Sequence, residues 1–254
     1  MRFCSLGSGS EGNGLVVEAG DTRVMIDCGF GLRDTAFRLA RAGLEPQGLT
    51  AILVTHEHSD HVGGVAAFAG RHGIAVWGSF GTLAAVAARF EGLANVSGFD
   101  SHAPFAIGDL EITPVPVPHD AREPTQFVLG DGDSRLGVLT DIGVSTPHVE
   151  ASLSGCDALV LETNHCLDLL AGSDYPYPLK QRIAGRLGHL DNGSSAALLG
   201  RIDITRLKHI VAAHLSQQNN TPDRARAALA GALGCTEDWI GVASQAEGFG
   251  WRDI

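Results

Sequence analysis

The hydrophobic positions of this chain fall mainly into short runs separated by turn residues. Nine of these runs have the β-branched content and the Gly, Asp or Pro boundaries that are typical of strands. They are residues 15–18, 23–26, 51–54, 75–76, 111–117, 125–129, 135–139, 158–161 and 209–212. The run Ala51-Ile52-Leu53-Val54 contains no polar position, which predicts a strand buried on both faces.

Helical features are fewer and lie between the predicted strands. They cover residues 35–42, 62–70, 81–90, 194–202 and 223–233. The last stretch follows Thr221-Pro222, where Thr suits the N-cap and Pro the first turn. This order predicts an α/β protein of the αββα sandwich type, with two packed mixed β-sheets and helices on the outer faces. Because no long linker or repeat interrupts the 254 residues, we expect a single domain over residues 1–254.

Composition narrows the possible functions. The 29 acidic and 18 basic residues give a formal net charge of −11, unlike the basic footprint of proteins that grip long nucleic acids. The five cysteines never form a C-x-x-C pair, so neither a disulfide framework nor a zinc ribbon is indicated. The sequence shows no signal-peptide hydrophobic region and no apolar run of membrane-spanning length. We therefore predict a cytoplasmic protein without membrane association.

Potential metal ligands are concentrated directly after the predicted buried strand. His56, His58, Asp60 and His61 lie within six residues, and Gly63-Gly64 follows. The end of a rigid strand presents them together, so His56 and His58 can turn to one ion while Asp60 and His61 turn to a second. The alternative, a polar loop with unrelated histidines, does not explain why three of eleven histidines gather at this place.

The stretch His56-Glu57-His58-Ser59-Asp60-His61 resembles the H-x-H-x-D-H signature of the metallo-β-lactamase superfamily. That resemblance implies the metallo-β-lactamase fold, and it implies roles for residues further along the chain. Asp27 would support the metal site from a strand end, Asp141 would be a bridging carboxylate, and the remaining ligands would be His119 and His214. Taken singly, each of these residues has an ordinary alternative, such as a turn or a surface position.

Further segments resemble the YycJ/WalJ group of bacterial metallohydrolases, which is related to ribonuclease Z. They are residues 6–13, 161–165, 177–183 and 188–192. The resemblance implies phosphodiester cleavage of a 5′-to-3′ exonuclease type, and it implies that His189 lies beside the scissile phosphate, outside the metal shell. Asp191 departs from the group, which more often has Ser there.

The implied ligand set of five His and two Asp contains no thiolate. Such a set suits two divalent ions, with zinc as the default and manganese or iron compatible. We expect a hydroxide held between the ions to be the nucleophile. Asp60 would hold a metal and orient the nucleophile, and His189 would stabilise or protonate the departing oxygen.

The sequence specifies the substrate contacts less closely than the metal ligands. The glycine-rich segment Gly7–Gly12 satisfies a dinucleotide-binding pattern, but a strand follows it, so we expect a tight strand connection at the rim of the site, with Asn13 as a candidate substrate contact. Lys180 and Arg182 could meet a backbone phosphate, and Tyr175 or Tyr177 could stack on a base. A solvated basic turn is the alternative.

Other functions remain open at this level. Within the same fold, the main alternative is a hydrolase of thioesters, lactones or other esters, because a fold alone does not select a substrate. A metal-binding scaffold protein is the alternative outside enzymes. The predicted partner is a phosphodiester substrate, including nucleic acid as a candidate, and a homodimer is compatible with the sequence.

Overall fold

The first sheet is built from the N-terminal part of the chain. In the computed structural model, which describes residues 1–254, its first six strands are β1 (Arg2–Gly7), β2 (Gly14–Ala19), β3 (Thr22–Ile26), β4 (Ala51–Val54), β5 (Ala75–Ser79) and β6 (Val96–Phe99). The pairs β1–β2 and β2–β3 are antiparallel, whereas β3 to β6 run parallel. The sheet is therefore mixed, as predicted.

The second sheet repeats this plan. Its strands are β7 (Phe105–Ile107), β8 (Leu110–Pro116), β9 (Thr125–Gly130), β10 (Arg135–Leu139), β11 (Ala158–Glu162), β12 (His209–Ala213) and β13 (Gly241–Val242). Strands β7 to β10 are antiparallel and β10 to β13 are parallel. The last strand, β14 (Phe249–Asp253), returns to the first sheet beside β1, so that each sheet has seven strands.

Nine helices accompany the sheets. They are α1 (Leu32–Arg41), α2 (Ser59–Val62), α3 (Val65–His72), α4 (Phe80–Val86), α5 (Pro147–Leu153), α6 (Leu167–Gly172), α7 (Tyr177–Ile183), α8 (Asn192–Leu199) and α9 (Pro222–Leu233). Short 3-10 turns cover Pro46–Gly48 and Glu237–Trp239. None of the helices is both long enough and apolar enough to span a membrane.

Three apolar layers hold the sheets and helices together. On β4, Ala51 and Leu53 belong to the layer between the two sheets, whereas Ile52 and Val54 belong to the layer beneath the helices of the first sheet. A third layer packs the second sheet against helices that include α8 and α9. Because successive residues of a strand face opposite sides, a strand covered on both sides needs an uninterrupted apolar run. The predicted αββα sandwich is confirmed.

One predicted helix is divided in the structure. The prediction over residues 62–70 corresponds to α2 and α3, which are separated at Gly63-Gly64. At Gly64 the backbone passes so close to Phe30 that a Cβ atom would lie 1.8 Å from the Phe30 carbonyl oxygen. The tertiary contact therefore requires glycine where the sequence pattern predicts a continuous helix.

Several elements were absent from the sequence prediction. They are the strands β1, β6, β7, β13 and β14 and the helices α5, α6 and α7. In β1, Phe3 faces the layer between the sheets while Cys4 and Leu6 face the helices. Its antiparallel pairing with β14 joins the two ends of the chain. Local patterns do not reveal such a pairing.

Candidate metal centre

The first group of candidate ligands surrounds His58. The Nδ1 atom of His58 lies 3.1 Å from Nε2 of His56 and 3.3 Å from Nε2 of His119. His56 and His58 follow β4, and His119 follows β8, so the two sheets contribute to one group. These three ring nitrogens are close enough to share one ion.

The second group consists of Asp60, His61, Asp141 and His214. Nε2 of His61 lies 3.3 Å from a carboxylate oxygen of both Asp60 and Asp141. Nε2 of His214 lies 3.6 Å from each of the same two carboxylates. Asp141 also approaches the first group, with 3.9 Å between its Oδ1 and Nε2 of His119. The Asp141 carboxylate thus lies between the two groups, where a bridging ligand would be.

Sharp backbone turns place three of these side chains. Asp27, Asp141 and His214 have φ angles of 60°, 51° and 54°, and they are the only residues other than glycine with positive φ. Each closely follows the end of a strand: β3, β10 and β12, respectively. Left-handed conformations are uncommon outside glycine and concentrate at functional sites. The strand ends are bent so that these side chains face one another.

Outer hydrogen bonds fix the orientation of the histidine rings. The Nδ1–H groups of His61, His119 and His214 donate to Oδ2 of Asp27 (2.7 Å), the carbonyl of Gly188 (3.0 Å) and Oε1 of Glu162 (3.2 Å). Their Nε2 atoms remain directed into the centre. This arrangement is typical of metal-binding histidines, whose second nitrogen is held by a carboxylate or a carbonyl. Asp27 therefore lies where a supporting residue was predicted.

The two groups differ in charge. Burial lowers the pKa of His56 well below 6.5, with the neighbouring His61 lowering it further, and burial also lowers the pKa of His119, so these two imidazoles of the first group are neutral. Burial also opposes charge on His61, but Asp141, Asp27 and Asp60 raise its pKa well above 6.5. For Asp141 burial favours the neutral acid, yet His214 and His61 lower its pKa well below the usual range. The second group therefore holds ionised carboxylates.

The residues present fit metal ions. Oδ2 of Asp141 and Nε2 of His214 are buried without any hydrogen-bond partner. Buried polar atoms are normally paired, so two unpaired ligand atoms in the same centre indicate that an additional partner binds there. Clustered imidazole and carboxylate ligands without thiolate suit zinc, manganese and iron. These His and Asp clusters are suited to metal binding.

A residue that the sequence prediction missed lies beneath the centre. Glu162 is fully buried at the end of β11 and accepts hydrogen bonds from Nδ1 of His189 (2.8 Å) and Nδ1 of His214. Burial would raise its pKa, but His189 and His214 lower it to about 2. The signal in the sequence was a glutamate at the end of an otherwise apolar strand, Ala158–Glu162.

Asp191, the departure from the YycJ/WalJ pattern, has a structural explanation. Its carboxylate accepts hydrogen bonds from the backbone N–H groups of Gly193 and Ser194 and forms the N-cap of α8. Because Ser and Asp are both strong N-caps, the replacement keeps the start of the helix.

Arg182 and Lys180 have different environments. Nε of Arg182 donates to Oδ2 of Asp120 (2.5 Å) and Nη2 donates to Oδ1 (3.0 Å), so the guanidinium is held beside the centre. Nζ of Lys180 instead donates to the carbonyls of Ala171 (2.7 Å) and Ser173 (2.6 Å) at the end of α6. Lys180 thus fastens α7 to α6, whereas it was predicted to contact substrate.

Asn13 also differs from its predicted position. It is buried, and its amide Nδ2 donates to the backbone carbonyl of Asp60 (3.3 Å) and lies 3.2 Å from Nε2 of His61. Its Oδ1 accepts a hydrogen bond from the backbone N–H of Gly9. Asn13 therefore ties the loop after β1 to the ligand residues and does not line the cleft.

The candidate centre opens into a cleft with a cavity volume of about 230 Å³. Ligand residues, His189 and Arg182 line it together with Ser10, Asn164, Tyr175, Leu179, Ile183, Leu215 and Ser216. Ser10 belongs to the loop after β1, so this loop lies at the rim, as the sequence predicted. The cleft combines a set of buried ligands with one guanidinium and a partly apolar surface.

Comparison with known proteins assigns the family. Residues 22–214 match the family model described as the Beta-lactamase superfamily domain. The chain is 31% identical to exodeoxyribonuclease YycJ of Bacillus anthracis over 239 residues, covering 92% of this chain and 89% of YycJ. It is also 31% identical to exodeoxyribonuclease WalJ of Streptococcus pneumoniae over 246 residues, covering 95% of this chain and 91% of WalJ.

A solved structure supports the same assignment of the fold. The metallo-β-lactamase fold protein YhfI from Bacillus subtilis superposes with a TM-score of 0.75 over 99% of both chains, at 14% identity. That similarity concerns the fold alone. Together with the matches in sequence, it shows that the chain belongs to the metallo-β-lactamase superfamily, in the YycJ/WalJ group, and is a metal-dependent hydrolase.

Proposed function

We propose that this protein is a phosphodiesterase that removes nucleotides from the 5′ end of a nucleic acid and uses two divalent metal ions, zinc by default. The observation that carries the proposal is His189, which lines the cleft beside the ligand groups while buried Glu162 holds its Nδ1–H. A histidine in this position can protonate the departing oxygen, which is needed most when the leaving group is poor. The names of the relatives YycJ and WalJ, both exodeoxyribonucleases, support the same substrate class.

The ligand residues divide into two sets in this proposal. His56, His58 and His119 would hold one ion, and Asp60, His61 and His214 would hold the second, with Asp141 between them. When bound, the ions supply a lowered pKa for water and a positive charge for the phosphoryl oxygens. Asp60 is half-buried and lines the cleft, so its carboxylate orients the attacking water from the open side.

His189 would act on the leaving group. Its Nδ1–H donates to the ionised Glu162 carboxylate, which fixes the orientation of the ring and directs Nε2 away from Glu162. The Nε2 proton passes to the departing oxygen as the bond to phosphorus breaks. Glu162 thereby positions His189 in the way that a buried carboxylate orients the histidine of other hydrolases.

Arg182 would bind a phosphate of the substrate. Asp120 occupies Nε and one N–H of Nη2, which leaves the remaining N–H groups of the guanidinium free for a second anion. Because Asp120 holds the side chain in place, little conformational entropy is lost when the phosphate binds. A fixed guanidinium at the cleft thus suits a phosphodiester better than a neutral ester.

The proposal is tested with protein loaded separately with zinc and manganese. Substrates are bis(p-nitrophenyl) phosphate and single- and double-stranded DNA and RNA, each labelled once at the 5′ end and once at the 3′ end. A 5′-end exonuclease releases labelled mononucleotide from the first set and a ladder of shortened strands from the second. His58→Ala should remove both activities, and His148→Ala, at an exposed histidine of α5, should keep them.

Other outcomes would contradict the proposal. Release of mononucleotide from the 3′ end, or cuts only inside the strand, would refute the direction. No cleavage by protein that carries two bound ions would refute the phosphodiesterase assignment, and hydrolysis of thioesters or lactones by that preparation would replace it.

A further inference from the structure

The cleft has an apolar side next to its ligand residues. Four half-buried apolar side chains line the same cavity as His58 and His189: Tyr175, Leu179, Ile183 and Leu215. We call them the apolar wall. Binding of a flat apolar group in the cleft is favourable because it removes this partly exposed apolar surface from water.

The apolar wall is built on two elements that meet at the ligands. Leu179 and Ile183 are four residues apart on α7 and therefore share a face of the helix. Leu215 directly follows the candidate ligand His214. Apolar contacts and ligand chemistry are thus adjacent in the chain as well as in space.

Adjacent groups in the cleft match the parts of a nucleotide. Arg182 and the ligand residues suit phosphate, and the apolar wall suits a flat aromatic base. We propose that Tyr175, Leu179, Ile183 and Leu215 form a subsite for the nucleobase of the 5′-terminal nucleotide, with the Tyr175 ring stacked on the base. This inference rests on the phosphodiesterase function proposed above and adds the contact that holds the end of the strand.

The size of the cavity is consistent with a single base. Its volume of about 230 Å³ is below the roughly 300–1,000 Å³ of sites that enclose drug-sized ligands. A subsite that holds one nucleotide beside the ligands positions the first phosphodiester of the strand for cleavage. Because every base has an aromatic face, such stacking tolerates all sequences.

The second tyrosine of this segment provides a matched control. Tyr177 is 71% exposed, does not line the cleft, and accepts a hydrogen bond from Nε2 of Gln181 through its hydroxyl (2.8 Å). The sequence left open which tyrosine could stack on a base, and the structure assigns that position to Tyr175.

The test uses two 5′-phosphorylated single-stranded oligonucleotides that differ only at the first nucleotide, which carries a base in one and is abasic in the other. The kcat/KM for metal-loaded wild type should be about tenfold higher on the first strand, the scale of one stacked base. Tyr175→Ala and Tyr175→Leu should reduce this ratio to near one. Tyr175→Phe and Tyr177→Ala should keep it.

A binding measurement gives an independent readout. Calorimetry should find that a deoxynucleoside 5′-monophosphate binds wild type about tenfold more tightly than 2-deoxyribose 5-phosphate, and that Tyr175→Leu loses the difference. Cleavage of both strands at equal rates by wild type, or a preference that survives in Tyr175→Leu, would overturn the base subsite and leave the nuclease function intact. Failure of wild type to cleave either strand with two ions bound would overturn both.

Discussion

The cleft is bounded by two walls that are built differently. The ligand wall consists of residues at strand ends and in the short helix α2 that follows β4. Of these, His56, His61, Asp141 and His214 are buried, and outer hydrogen bonds hold the rings of His61 and His214. The helical wall is formed by residues 167–183, where α7 has no buried residue at all.

The contrast separates two requirements of a hydrolase. Metal ligands must be held within a fraction of an ångström, and strand ends inside a packed sandwich provide that rigidity. Substrate groups vary in shape, and surface helices can adjust to them at small cost. We therefore expect changes on the ligand wall to remove the reaction, and changes on the helical wall to alter affinity.

The largest expected effect comes from Asp141→Asn. Asparagine tolerates the left-handed backbone at this position and keeps the shape of the side chain, so the change removes charge and leaves the fold intact. We expect phosphodiesterase activity to fall to the level measured without metal, and bound metal, measured by elemental analysis, to fall below two ions per chain. Wild-type metal content together with wild-type activity would show that Asp141 is not a bridging ligand.

His189→Ala tests whether His189, which lies beside the ligand wall, acts in the reaction without binding a metal ion. We expect two ions to remain bound while kcat falls by roughly a thousandfold, because general acid assistance contributes about 10²–10⁴. Glu162→Gln should also lower kcat. For both variants, the decrease in kcat should be smaller for substrates with a better leaving group. Loss of metal equal to that in Asp141→Asn would contradict the separate role of His189.

Removal of metal should destabilise the protein through the ligand wall alone. A ligand present at about a hundred times its dissociation constant stabilises the folded state by about 2.7 kcal/mol. For a chain of this size, we expect chelation to lower Tm by roughly 5–10 °C. The helical wall contributes no ligand, so Arg182→Ala should show the same decrease as wild type, and a smaller decrease there would link the two walls.

The stability of the metal-free protein should decrease as the pH rises above 6.5. Burial lowers the pKa of His214, but Asp141, Asp60 and Glu162 raise it to about 10. A raised pKa stabilises the fold fully below pH 6.5, and this contribution is lost as the pH rises from 6.5 towards 10. Because a metal ion requires neutral His214, metal binding must release the proton, and the affinity for metal should rise over the same interval.

Two measurements test the pH dependence of stability and the release of a proton on metal binding. Thermal unfolding of the metal-free protein should give a Tm that falls between pH 6.5 and 10, the interval set by His214. Calorimetric zinc titrations in buffers with different ionisation enthalpies should reveal proton release below pH 10. A Tm that rises over this interval would contradict the raised pKa of His214.

Substitutions on the helical wall should have the smallest effects. Arg182→Ala should raise KM for an oligonucleotide by about tenfold, the scale of one charge-assisted phosphate contact, and should flatten its dependence on salt. Lys180→Met should leave KM unchanged and lower stability by about 1 kcal/mol, since two carbonyls lose their donor. An equal rise in KM for both variants would restore Lys180 as a substrate contact.

The sequence was most informative where local pattern and chemistry agree. The uninterrupted run Ala51–Val54 and the ligands after it predicted a strand buried on both faces and the group of histidines at its end. Alternation and turn residues were sufficient to predict the central strands of both sheets. Successive side chains of a strand face opposite sides, so burial leaves a recognisable hydrophobic pattern in the sequence.

The remaining features depend on contacts between distant parts of the chain. The pairing of β1 with β14 and the function of Lys180 as a clamp between helices have no local signature. Glu162 had a local signal, a glutamate at the end of an apolar strand, but only the fold places its carboxylate between two histidines.

By itself, the sequence determined the αββα class and the residue types that suit a metal centre, because periodicity and ligand chemistry are properties of the chain. Only the tertiary structure decided how His119, Asp141 and His214 join the ligands that follow β4, which tyrosine lines the cleft and which cation lies beside it. Those outcomes depend on the direction of each side chain, and that direction is set by packing between residues far apart in sequence.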